Sequence, residues 1–248
     1  MSRVMLITGS SRGIGAATAR LAAAEGYVLC LNFHQRQDIA QQLLEELRGA
    51  GAHAIAVRAD VADEAQVARL FATIDKEFGR LDVLVNNAGT LERQMRLDEM
   101  DAARLVRVFA TNVTGSFLCA REAVKRMSTR YGGNGGAIVN VSSIAAKLGA
   151  PNEYIDYAAA KGAIDSMTLG LAKEVAAEGI RVNAVRPGVI RTEIHASGGE
   201  PGRVERVKAS VPMGRGGDAE EVAEAILWLA SEKASYTSGA LLDVSGGR

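Results

Sequence analysis

In the stretch YIDYAAAK two tyrosines, Tyr154 and Tyr157, stand three residues apart, and Lys161 follows the second by four. On a helix, positions i and i+4 share a face, so an ammonium at 161 can stand near a phenol oxygen at 157. A free tyrosine has a pKa of about 10, and a nearby cation favours the phenolate, which brings proton exchange closer to neutral pH. Such a pair suits general acid–base work. The phenol can give a proton to a carbonyl oxygen while a hydride reaches the carbon, and take one back in the reverse direction. Tyr154 has Ala158 at the same spacing and precedes the helix, so it is read as part of a substrate wall.

The elements that must hold these groups follow from the apolar pattern. Short β-rich runs (RVMLIT, YVLCLNF, HAIAVRAD, LDVLVNNAG, GAIVNVSS, IRVNAVRPG and ALLDVSGG) alternate with helical patterns over 13–25, 38–48, 64–78, roughly 98–130, 157–178 and 220–230. Strands as apolar as LDVLV belong in a parallel sheet covered on both faces, and the intervening helices supply the crossovers. The predicted fold is α/β: a single-domain Rossmann fold spanning 1–248, with a doubly wound seven-stranded parallel sheet and helices on both faces. Pro151 and NEYID read as a loop, with Asp156 as N-cap and Tyr157 opening the helix. The glycine- and charge-rich stretch at 188–217 lies beyond the sixth strand, where an insertion covers a ligand crevice, and is read as a substrate lid.

Composition narrows the partners. Lysine plus arginine equal aspartate plus glutamate at 29 each, so no net field draws the chain to nucleic acid or an anionic membrane. A small-molecule substrate is expected. Cys30 and Cys119 lie in apolar runs and read as buried thiols, which suits a reducing compartment. No charged leader and no run of membrane-spanning length is read, and the expected location is cytoplasmic. His53 and His195 lack partners at metal-ligand spacing and are read as surface histidines; no metal site is expected. The basic residues Lys125, Arg126 and Arg130 could receive an acidic carrier protein, and are read instead as cations complementing a helix C-terminus. Arg203, Arg206 and Lys208 fit either a greeting for an anionic substrate or the solvated face of an amphipathic turn.

Directly after the first strand comes TGSSRGIG, followed by an alanine-rich helix. Glycines at 9, 13 and 15 allow a tight turn and close approach of backbone to a pyrophosphate, and the new helix offers free N–H groups and a positive dipole end. A dinucleotide fits this. NAD sites usually place an acidic side chain at the end of the second strand to bind the ribose 2′-hydroxyl. Here that region reads LNFHQRQ, with no carboxylate at Asn32, Phe33 or His34, while Arg12, and His34 or Arg36, offer partners for a 2′-phosphate. NADP(H) is favoured over NAD(H).

The spacing T-G-x-x-x-G-x-G resembles that of the short-chain dehydrogenase/reductase family. Further pieces match in order along essentially the whole chain: Asp60-Val61, NNAG at 86–89, Asn112, Ser143, Tyr157 with Lys161, and PGVIRT at 187–192. The resemblance implies carbonyl/alcohol chemistry with a nicotinamide cofactor, and Asn112, Ser143, Tyr157 and Lys161 as its catalytic residues. It places Gly9, Ser11, Gly13, Ile14 and Gly15 on the cofactor phosphates, Asp60 and Val61 at the adenine end, and Asn87, Ala88 and Gly89 along its length. Tyr157 and Lys161 are also implied to contact the cofactor, with Pro187, Gly188, Ile190 and Thr192 around the carboxamide. Asn112 is implied to bind a water linking Lys161 to solvent. Ser143 matches the family serine better than Ser142, although the 13 residues between Ser143 and Tyr157 are one more than many relatives have. A homotetramer packed through the long helices after the fourth and fifth strands is also implied.

The expected activity is thus an NADPH-dependent oxidoreductase on a carbonyl or secondary alcohol, with 3-oxoacyl thioesters, sugars and polyols among its substrates. A non-catalytic NADPH-binding sensor or scaffold is the rival reading; the complete serine, tyrosine and lysine set argues against it, because a pure binder needs no tuned phenol.

Overall fold

The computed structural model describes residues 2–248. Seven strands form one sheet: β1 Val4–Ile7, β2 Val28–Phe33, β3 Ala54–Arg58, β4 Val83–Asn86, β5 Gly136–Val141, β6 Ile180–Pro187 and β7 Leu241–Val244. Their order is β3-β2-β1-β4-β5-β6-β7, and every neighbouring pair is parallel. The chain builds outward from β1 in one direction and from β4 in the other. The connections therefore diverge between β1 and β4, and the crevice beyond their carboxyl ends is where a doubly wound sheet binds ligand.

The helices among the described residues are α1 Gly13–Ala24, α2 Gln37–Gly49, α3 Glu64–Phe78, α4 Ala102–Phe109, α5 Gly115–Met127, α6 Ala145–Leu148, α7 Ile155–Val175, α8 Ile194–Ser197, α9 Arg203–Val207 and α10 Ala219–Ala230. Side chains alternate across each strand, so Met5 and Ile7 of β1 pack with α1, α2 and α10, while Val4 and Leu6 pack with α3, α5 and α7. Both faces of the sheet are thereby buried, as the unbroken apolar runs require. Cys30 and Cys119 lie inside this packing, and burial pushes both thiols up to about 12.

Two elements depart from the sequence reading. The helix expected over roughly 98–130 is broken: a 3₁₀ turn at Leu97–Glu99, then α4, a π turn at Ala110–Thr114, then α5. Asp101 starts α4 afresh by accepting the Arg104 N–H at 2.7 Å. At the other junction Gly115 packs on Val61, where an added Cβ would lie 2.7 Å from Val61 Cγ2. The second departure is α7, which begins at Ile155 with Tyr154 as its N-cap. Asp156 is therefore not a cap; it lies inside the first turn, where Arg104 takes its carboxylate.

No helix among the described residues is long and apolar enough to cross a membrane. Leu84, at the centre of β4, is wholly buried. Leu84→Ala is expected to lower unfolding free energy by about 3 kcal/mol, read as a fall in the urea midpoint at unchanged slope.

Candidate active site

The glycine turn is built against the end of β4. Thr8 Oγ1 accepts the N–H groups of Asn87 and Ala88, each at 3.0 Å, and the Asn87 amide donates to the carbonyls of Thr8 and Gly9, each at 2.9 Å. These bonds leave no room for side chains. A Cβ on Gly15 would meet Asn87 Nδ2 at 2.6 Å and the Gly9 carbonyl oxygen at 2.7 Å, and Gly9, at φ +61°, faces Ala88 Cα at 2.8 Å. Gly13 has φ +54° and lies 3.2 Å, measured from its would-be Cβ, from the Thr192 methyl. The glycine turn and the segment after β6 thus face each other across the crevice. Asn32, where many dinucleotide sites carry an acid, is buried and uses its amide on Gly9 N–H and the Ala59 carbonyl.

A cavity of about 450 Å³ opens beside this turn, lined by Ile14, Asn87, Gly89, Ser143, Tyr157 and Lys161, with Pro187, Gly188, Ile190 and Thr192 on the opposite wall. Lys161 is buried, donates to the Val141 carbonyl at 2.7 Å, and holds Nζ 5.5 Å from the centre of the Tyr157 ring. Burial pushes its ammonium down to about 8, with Asp165 opposing. Burial pushes the Tyr157 phenol up to about 12, and a hydrogen bond from Ser143 works against that rise. Burial thus drives the two groups apart in proton affinity: the phenol stays protonated, as a general acid must, and the fall toward neutral pH expected from a neighbouring cation is outweighed by desolvation.

The two serines separate cleanly. Ser142 Oγ donates to Asp165 at 2.7 Å and is buried behind Lys161, whereas Ser143 is the one beside the phenol. Asn112 is wholly buried inside the π turn and does not line the cavity. Its side chain accepts the Thr90 N–H at 3.1 Å and donates to the carbonyls of Thr90 and Val108. It fixes the wall next to Lys161: a Cβ on Gly89 would lie 2.9 Å from Asn112 Oδ1 and 3.7 Å from Lys161 Nζ.

Beyond the cavity, Ser11 and Arg12 belong to the glycine turn and Ala88 to the stretch after β4 that it packs on, while His34, Asp60 and Val61 gather at the far end beyond β2 and β3. Arg12 and His34 are exposed, and His34 Nε2 stands 3.8 Å from Asp60. Arg36 is held by Asp38 at 2.9 Å. Arg58, which sequence reasoning passed over, donates to the His34 carbonyl at 3.1 Å and brings a further guanidinium to this corner. The register that pairs Phe33 with Arg58 places it there; a strand-end arginine carries no motif of its own.

The cavity is lined further by Leu91, Leu148, Glu153, Tyr154, Ile194, His195 and Arg203. Tyr154 is buried and donates to the Gly198 carbonyl at 3.2 Å, so it does form wall. His195 is not a surface histidine: it is buried and its Nε2 bonds the Ile190 carbonyl at 2.8 Å, while burial lowers its basicity. His53 is exposed as expected. The arginines of the 188–217 segment are engaged internally. Arg203 and Arg206 both pair with Glu153 and Glu200, Arg203 lies over the Tyr154 ring at 5.0 Å, and Lys208 pairs with Glu205.

Against known proteins, a family profile described as Enoyl-(Acyl carrier protein) reductase matches residues 9–248. A solved short-chain dehydrogenase/reductase from Serratia marcescens superposes with a TM-score of 0.91 at 32% identity, over 99% of this chain and 97% of that one. The chain belongs to the short-chain dehydrogenase/reductase family. It is an oxidoreductase of that type. The structure titled ElxO with NADP bound matches at TM-score 0.89 and 34% identity, over 100% and 98% of the two chains. Among curated relatives, Escherichia coli (strain K12) "Uncharacterized oxidoreductase YgfF" is 58% identical over 99% of both chains. Cis-4-hydroxycyclohexanecarboxylate dehydrogenase of Sinomonas cyclohexanicum is 45% identical over 99% of this chain and 96% of its own.

The glycine contacts generate one expectation. Gly15→Ala drives a methyl into Asn87 and the Gly9 carbonyl, and if the turn holds a dinucleotide the variant is expected to bind it at least about tenfold more weakly, read by fluorescence titration, while staying folded.

Proposed function

We propose that the protein is an NADPH-dependent carbonyl reductase, able to run in reverse as an alcohol dehydrogenase. The observation that carries this reading is the convergence of Ser143, Tyr157 and Lys161 on one cavity that also meets the glycine turn. A dinucleotide fits the residues present, because the turn is stripped of side chains where backbone must approach phosphate and opens onto the N-terminus of α1. Gly9, Ser11, Gly13, Ile14 and Gly15 would hold its phosphates, Asp60 and Val61 its adenine end, and Asn87 to Gly89 its length. Ile190 and Thr192 would hold its carboxamide. When bound, this group supplies the hydride.

The chain's own residues handle the proton. Ser143 holds the substrate oxygen, Tyr157 donates the proton to it, and the Lys161 ammonium stabilises the phenolate left behind. Asn112 keeps the wall beside Lys161 in place through its amide contacts with Thr90 and Val108. The residues 188–217 act as the lid, tied to the 144–156 loop by the Glu153, Glu200, Arg203 and Arg206 cluster.

Preference for the 2′-phosphate rests on Arg12, His34 and Arg58 around a corner where Asn32 replaces an acid. The NADP-bound neighbour supports this. Exposed Val106, Phe109 and Phe117 on and beside α4 and α5, with Ile155 and Leu169 on α7, support a homotetramer packed through these helices. A reducing, cytoplasmic location accords with the two buried free thiols. Substrates fall among compact ring ketones and hydroxy acids, as the Sinomonas relative's name suggests, 3-oxoacyl thioesters, and sugars or polyols.

The test is NADPH consumption by wild type and Tyr157→Phe across those classes, with NADH in parallel. Turnover on one class, reduced about 10³-fold or more in the variant, is the expected result. Undiminished activity in the variant overturns the assignment of Tyr157; tight NADPH binding with no turnover anywhere favours the sensor reading.

Lys161 is a cation below about 8 and neutral above it, so the reduction rate is expected to be level at lower pH and to fall as pH rises through about 8. A profile level through that region contradicts the role given to Lys161. Arg12→Ala is expected to raise KM for NADPH about tenfold and leave kcat/KM with NADH within about twofold.

A further inference from the structure

We propose that Arg104 and Asp156 form a buried clamp that positions Tyr157 for proton transfer; this rests on the reading of Tyr157 as the acid. Both side chains are almost wholly buried, and they meet through two hydrogen bonds, Arg104 Nε to Asp156 Oδ2 at 2.7 Å and Nη2 to Oδ1 at 3.3 Å. The third guanidinium nitrogen, Nη1, donates to the Arg93 carbonyl at 2.6 Å. Asp156 Oδ1 also accepts the Tyr157 N–H at 2.9 Å.

One guanidinium therefore joins three segments: the start of α4, the stretch after β4, and the first turn of α7. The same helical run reaches that stretch again through Asn112, which holds Thr90 at both its N–H and its carbonyl. The walls beside Lys161 and the turn bearing Tyr157 are thus referred to a single rigid piece.

Tyr157 needs such a reference. It sits in the first turn of α7, where backbone N–H groups lack intrahelical partners and helices fray. The N-cap residue, Tyr154, offers no side-chain bond to that turn. The loop before it contains Ala150 at φ +44°, a left-handed conformation disfavoured for alanine, and Asn152 at φ +61°, which asparagine tolerates. The clamp does what a cap would do, and does it from outside the helix.

Stability alone does not call for this pair. A buried ion pair is commonly matched or bettered by apolar residues of similar size, because desolvation offsets the attraction. What the bidentate fork adds is direction. The clamp is accordingly a positioning device whose loss shows in catalysis rather than in folding.

The test is the neutral double variant Arg104→Met with Asp156→Leu, which leaves no lone buried charge, alongside Arg104→Lys, which keeps the cation but loses the fork. Melting temperature, kcat, the KM for NADPH and the ultraviolet titration of the Tyr157 phenol, taken as the difference from Tyr157→Phe, are measured for each. The expected result is kcat lowered at least about tenfold with KM for NADPH within about twofold. The phenol midpoint falls toward the ordinary value of about 10, as the loosened turn admits water. Lys161 and Ser143, which flank the phenol, are unchanged in both variants. A folded variant with kcat within about twofold of wild type and an unmoved midpoint overturns the clamp. The titration uses no substrate, so absence of turnover in the wild type counts against the proposed function while the midpoint still decides the clamp. Should the double variant not fold, the pair is structural by the same standard unless Arg104→Lys folds and shows the loss.

Discussion

A primary ammonium held out of water, next to a phenol, is the constraint around which the rest of this protein is arranged. Lys161 could not remain there as a cation without the Val141 carbonyl beneath it and Asp165 one helical turn further on. Val141 is the last residue of β5, so the sheet itself delivers the acceptor. Ser142 then keeps Asp165 in place, and Arg186 in β6 contributes the opposite charge at 3.1 Å. The strand ends are in this sense a scaffold for one charge, and the tyrosine benefits from it.

Much of this was legible in the sequence because it depends on local rules. Strand and helix alternation follows from period and length, and α3 matched its expected span because Asp63 and Gly79 mark its ends. The i, i+4 relation of Tyr157 and Lys161 needs only that both lie on one helix. The choice between Ser142 and Ser143 was open until the register of β5 turned one hydroxyl toward Asp165 and left the other beside the phenol.

The features that escaped are those made by contacts across long sequence separations. Arg104 and Asp156 are 52 residues apart, and an aspartate before a helical pattern looks the same whether it caps the helix or is taken by a distant arginine. Arg58 comes to the corner beside His34 only through the pairing of β2 with β3. The π turn at 110–114 has no compositional mark, since ATNVT would serve equally well in an ordinary helix; it is Asn112 gripping Thr90 and Gly115 meeting Val61 that impose it. Extra residues in a helical turn commonly accompany function, because they redirect a side chain without ending the helix. Burial of His195 has the same origin: its partner carbonyl belongs to a non-regular segment that no periodicity describes.

The cluster of Glu153, Glu200, Arg203 and Arg206 joins the 144–156 loop to the segment after β6 with equal numbers of positive and negative charges. A seam of this kind has no monopole. Parting it nevertheless separates the single negative charge of Glu153 from the net single positive charge of Glu200, Arg203 and Arg206, so opening works against an attraction that mobile ions screen. The join between the 144–156 loop and the segment after β6 is consequently tighter at low ionic strength than at high.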